Sequence, residues 1–79
     1  MPDPVSWMMI EQGWAVVDSA GDTVGRVDEV LGDENVDIFN GLHVLVGAVG
    51  RRSYVPAESV GEIVEGQVQL QLSKDEVGS

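Results

Sequence analysis

The chain has 79 residues, with 14 acidic side chains against 4 basic ones, a formal charge of −10, hydrophobic residues at 43% and no cysteine. That length makes one domain, burying only roughly 60% of its unfolded surface. Without cysteine, disulfides, thiolate metal sites and a cysteine nucleophile are excluded, and oligomerisation becomes an expected source of extra stability. The negative charge repels phosphate backbones and anionic headgroups, which disfavours direct contact with nucleic acid, and its acids are spread among hydrophobics as on the solvated face of a folded domain.

Residues 1–6 are punctuated by Pro2 and Pro4 and lack the basic start of a signal peptide. The apolar run that follows, Trp7, Met8, Met9 and Ile10, falls far short of the ~20 residues that cross a bilayer. No membrane insertion is expected, and a cytoplasmic location follows by default. Residues 12–17, with Trp14, Val16 and Val17, read as a strand, and residues 18–22 as a turn in which Gly21 supplies a positive φ. Val24, Val27 and Val30 recur every third residue, a spacing that suits a strand interrupted by a bulge, with Gly25 as its natural place.

Residues 32–37 form a polar loop, and residues 38–41 tighten into a second turn before the apolar strand 42–46, whose hydrophobic residues on both faces suggest cover on both sides. Residues 47–52 read as a loop that brings Arg51 and Arg52, the adjacent basic pair, to one place. Residues 53–55 make a short strand that Pro56 ends or pushes to an edge, and residues 56–59 have room for one helical turn. Residues 60–64 lead through Glu65 and Gly66 into an alternation in which Val68, Leu70 and Leu72 face a core and three glutamines face water. This is a hairpin, best closed by a type I turn with Gly66 in the left-handed region. Ser73 then has the character of a helix N-cap. The sum is an all-β fold, a small barrel of about six short strands with one or two short helical turns, closure removing exposed edges.

The order and spacing of these pieces, from Gly13 through Gly21, Gly25, residues 41–46, residues 54–57 and residues 68–76, resembles the PRC-barrel family over nearly all of residues 13–76. The organisation that follows is an apolar N-terminal segment, residues 1–12, and a PRC-barrel-like domain, residues 13–79. Members of that family include the cytoplasmic domain of the photosynthetic reaction centre H subunit, the C-terminal domain of a ribosome maturation factor and short free-standing proteins. The resemblance implies an adaptor that contacts protein partners, often by self-association, and it implies no shared active site.

Individual residues narrow this further. Asp33, Asn35 and Asp37 alternate as the oxygen ligands of a calcium loop begin, but Ile38 stands where the loop needs glycine and Val44 where it needs a closing glutamate, so a plain acidic turn is the stronger reading. His43 is the only histidine and has no partner in sequence for a metal site or a triad, so it reads as structural. The run 47–52 lacks the lysine and following helix of a phosphate loop. Trp7, Met8, Met9, Ile10 and Trp14 form the densest apolar cluster, serving either as core and plug or as an interface. The expected contacts of an interaction module, a homodimer, are therefore Trp7, Met8, Met9 and Ile10, with Arg51 and Arg52 as a charged rim. No catalytic residue, enzyme activity or cofactor is expected. Two alternatives remain: a small-ligand or divalent-metal binder using Asp33, Asn35 and Asp37, and a ribosome-maturation accessory that binds a basic ribosomal protein.

Overall fold

The computed structural model describes residues 5–73 and 76–77. Its six strands are β1 (Ala15–Val17), β2 (Thr23–Asp33), β3 (Ile38–Val46), β4 (Arg51–Pro56), β5 (Val60–Val64) and β6 (Gln67–Leu70), with 3-10 turns at Trp7–Met9 and Ala57–Ser59. They form one sheet in the order β4-β3-β2-β1-β6-β5. Neighbours are antiparallel except β1 and β6, which run parallel with Val16 beside Val68. The sheet curls into a half-barrel around a core of Ile10, Val16, Val24, Val27, Leu42, Val44, Val55, Val68, Leu70 and Val77. Each such side chain, fully buried, contributes about 1.5–3 kcal/mol.

Alternation explains most of that core. Val68 and Leu70 are buried and Leu72 packs against them, as the 67–72 pattern requires. In β2 the three-residue spacing is accommodated by bulges, but not at Gly25. One lies between Gly25 and Thr23, where Val24 is the extra residue against β1, and another lies between Val27 and Glu29, where Asp28 is extra against β3. Gly25 itself pairs regularly with Val46, and a Cβ there would overlap the Leu45 carbonyl oxygen. Its role is close approach of two strands.

Residues 38–41 are strand rather than turn. The hairpin between β2 and β3 extends to Asp33 opposite Ile38, and Gly41 lies mid-strand where a Cβ would overlap the Val55 carbonyl oxygen of β4. Nor is β3 covered on both sides. Leu42 and Val44 are buried on the concave face, while His43 and Leu45 are only half-buried on the convex one. The arginines at 51 and 52 open β4 instead of ending a loop, because the turn before them is completed within residues 47–50.

Residues 5–10 strap the open side of the curl. The Val5 N–H donates to the Ile63 carbonyl of β5 at 2.8 Å, and Ile10 enters the core. Trp7 stacks on Phe39 of β3 with ring centroids 5.2 Å apart and 11° between planes.

Candidate functional site

Two neighbouring convex-face rows run across the three strands β2, β3 and β4. Arg26, Leu45 and Arg52 share one row, and Glu29, His43 and Tyr54 share the next. The bulge at Asp28 breaks the alternation of β2, so Asp28 and Glu29 both reach the same guanidinium. Arg52 Nε meets Asp28 Oδ2 at 3.0 Å, and Nη2 donates to Glu29 Oε1 at 3.0 Å and to His43 Nδ1 at 2.9 Å. Glu29 Oε1 also lies 3.2 Å from His43 Nδ1. The His43 ring meets Tyr54 edge to face at 5.9 Å, and the Tyr54 hydroxyl donates to the Asn40 carbonyl at 3.0 Å. The histidine thus belongs to a surface ion network that holds three strands in register. Sequence reasoning missed Asp28, Glu29 and Tyr54, since only the bulged register brings them to Arg52.

Successive residues of a strand point to opposite faces. Arg51 shares its row with Val46 and Gly25, whereas Arg52 shares its row with Leu45 and Arg26, so the two side chains leave β4 on opposite faces. Both nevertheless line a cleft of about 480 Å³ beside β4, together with Tyr54, Val55, Leu72, Glu76 and Val77. Glu76 is ordered by Ser73, whose backbone N–H and hydroxyl donate to Glu76 Oε1 at 3.1 and 3.0 Å. Those bonds, the backbone one foremost, hold its carboxyl below the usual glutamate range. The capping character read at Ser73 reappears here, although Lys74 and Asp75 lie outside the described residues. Among the described residues, no strand but β3 pairs with β4, and no loop bond reaches it beyond the 3-10 turn that Pro56 caps.

The other predicted site residues lie elsewhere. Ile10 is buried in the core, so it offers no contact surface, and Trp7 is half-buried on Phe39 with its indole N–H donating to Asp37 Oδ1 at 2.8 Å. Met8 and Met9 are exposed. This turn packs at the Phe39 end of β3, and Arg51 pairs with Val46 at the other, so the structure does not join them into one patch. In the acidic loop, Asp33 Oδ1 accepts the Asn35 N–H at 2.9 Å while Asp37 is engaged by Trp7, at a backbone φ of 53°. These contacts fold the loop and anchor the N-terminal turn, and among the described residues no cluster of three or more histidine, aspartate or glutamate side chains is grouped to hold a metal ion.

Residues 10–78 match the family model described as an uncharacterized protein conserved in bacteria, DUF2171. The chain belongs to that family. DUF2171, and not a PRC-barrel model, is therefore the family shown, and the PRC-barrel likeness holds at the level of fold. It is carried by the structure of a protein assigned to 16S ribosomal RNA processing, RimM from Pseudomonas aeruginosa, at a TM-score of 0.61 and 20% identity. The match covers 90% of this DUF2171 chain and 45% of that one, so the chain spans less than half of RimM. No curated protein matches. Among the described residues, no helix of this DUF2171 member is long and apolar enough to cross a membrane.

Proposed function

We propose that the domain is a non-enzymatic protein-interaction module, an adaptor of the PRC-barrel kind working in the cytoplasm, that receives a protein partner along the edge of β4. The observation that carries this reading is that, among the described residues, no second strand pairs with the outer side of β4, which lies beside a cleft of about 480 Å³. A strand edge presents a row of N–H and C=O groups that an extended segment can satisfy, and the neighbouring cleft takes alternate side chains. Here the cleft offers an apolar floor from Val55, Leu72 and Val77 between the charges of Arg51 and Glu76. The ionisable groups of the convex face neutralise one another around Arg52, an arrangement suited to holding strands rather than to moving protons.

The test compares proteins retained by the wild-type chain and by a Tyr54→Asp variant, followed by titration of the purified partner against isotope-labelled domain. Shifts of β4 amides, with binding lost in Tyr54→Asp, support the reading. A partner lost instead with Met9→Asp moves the contact to the N-terminal turn. A metal or small ligand that raises the melting temperature, with no protein partner found, sinks the interaction reading.

A second reading is favoured by the likeness to RimM together with the charge of −10: an accessory to ribosome maturation that binds a basic ribosomal protein. Salt-sensitive retention by purified ribosomal proteins, with none by naked RNA, is its expected signature. Equal retention by RNA would remove it.

A further inference from the structure

We infer that the occupant of the β4 edge is the β4 of a second copy of this chain, paired antiparallel about a twofold axis so that the two sheets run together. This rests on the interaction-module reading and names its partner. The two ends of the sheet are not equivalent. The free side of β5 is partly taken by the Val5 N–H on the Ile63 carbonyl at 2.8 Å, whereas no such bond reaches β4 among the described residues. Arg51–Pro56 offers a seam of about 20 Å at ~3.3 Å per residue.

A twofold contact joins a surface to its own image, so the surface must be self-complementary. The charge order along β4 meets that condition. Its first two residues are Arg51 and Arg52, its last are Val55 and Pro56, and the turn that follows exposes Glu58. Parallel copies would stack arginine on arginine. An antiparallel seam centred on Tyr54, which then faces its own copy, sets Arg51 of one copy against Ala57 of the other, beside Glu58. Arg52 is already held by Asp28 and Glu29, while Arg51 makes no ion pair among the described residues. Two acidic molecules repel each other over most of their surfaces, and this strand carries two of the chain's four basic residues, so approach here is the least opposed. One strand pair is smaller than a standard stable interface, so the dimer dissociates on dilution.

The test uses the full chain. Sedimentation over a wide concentration range is combined with residue-resolved amide exchange for the wild type, Arg51→Glu, Glu58→Arg and the double variant, each checked for folding by thermal unfolding. The expected result is a dimer whose β4 amides gain protection as concentration rises. Each single charge reversal weakens it roughly tenfold, because the pair occurs twice in a twofold contact, and the double variant restores it. A monomer at every concentration overturns the inference and leaves Arg51, Arg52 and Pro56 as the charges and proline by which an edge strand resists pairing. A dimer whose added protection falls on residues 7–9, or a double variant no better than its parents, overturns it equally. If β4 amides are protected only by a foreign protein, the second copy is excluded while the interaction-module reading stands.

Discussion

Nη2 of Arg52 lies 3.0 Å from Glu29 Oε1 and 2.9 Å from His43 Nδ1. A guanidinium nitrogen can only donate, so in a neutral ring this contact favours the tautomer with its lone pair on Nδ1 and its proton on Nε2. Nitrogen NMR at neutral pH is expected to find the Nε2–H tautomer in the wild type. In Arg52→Leu, Glu29 Oε1 at 3.2 Å becomes the partner of Nδ1 and the proton moves to it; an unchanged tautomer would show that the guanidinium does not govern the ring. Glu76 gives a pH dependence with a definite sign. Its folded-state pKa is lowered by the Ser73 backbone and hydroxyl bonds, so its contribution is fully present above the unfolded glutamate value and is lost as pH falls through the folded one. The protection factor of the Ser73 amide, its exchange corrected for the intrinsic rate at each pH, is expected to fall in acid as that carboxylate protonates, with the step absent in Glu76→Gln. Neither pairing was legible beforehand in full: Ser73 and Glu76 lie three apart and signal a cap, but Arg52 and Glu29 are brought together by register alone.

Strands were legible where alternation was clean and misplaced where it was broken. In β6 the glutamines alternate with Val68 and Leu70, and pleating alone assigns the faces. In β2 the spacing of Val24, Val27 and Val30 announced an irregularity, yet glycine was a poor guide to its position. Bulges arise wherever two residues oppose one, and here those extra residues are Val24 and Asp28. Gly25 answers a different need, the approach of β2 to the backbone of β3. Gly25→Ala is accordingly expected to destabilise by about 2–3 kcal/mol in urea unfolding, as overpacking does. A loss under half of that would mean the strands separate cheaply. Gly41 was misread for the same reason: glycine marks tight turns and close strands alike, and only the partner strand distinguishes them.

On the scale of the whole molecule, the all-β half-barrel was legible because six short runs with frequent turns have few alternatives, whereas the sheet order was not, since pairing between distant strands leaves little local trace. Among the described residues the curl stops at a half-barrel, with β4 and β5 as the end strands of one sheet. Charge belongs to this scale as well. A small domain carrying −10 repels itself, and at dilute protein concentration raising sodium chloride from about 0.01 to 0.5 M shortens the screening length from ~30 Å to a few Å. The melting temperature is expected to rise by several degrees, about 1 kcal/mol for a domain of this size, while an equal osmolality of sucrose serves as the uncharged control. A fall with salt would place the Arg52 network above the net repulsion. The parallel pairing of Val16 with Val68 bears on the order of assembly. A chain emerging from its N-terminus can fold β2, β3 and β4 as consecutive hairpins, but β1 keeps an empty flank until residues 67–70 are made. The junction of β1 with β6 is thus expected to be the last part of this sheet to form, with the meeting of the first strand and the sixth as the slow step of folding.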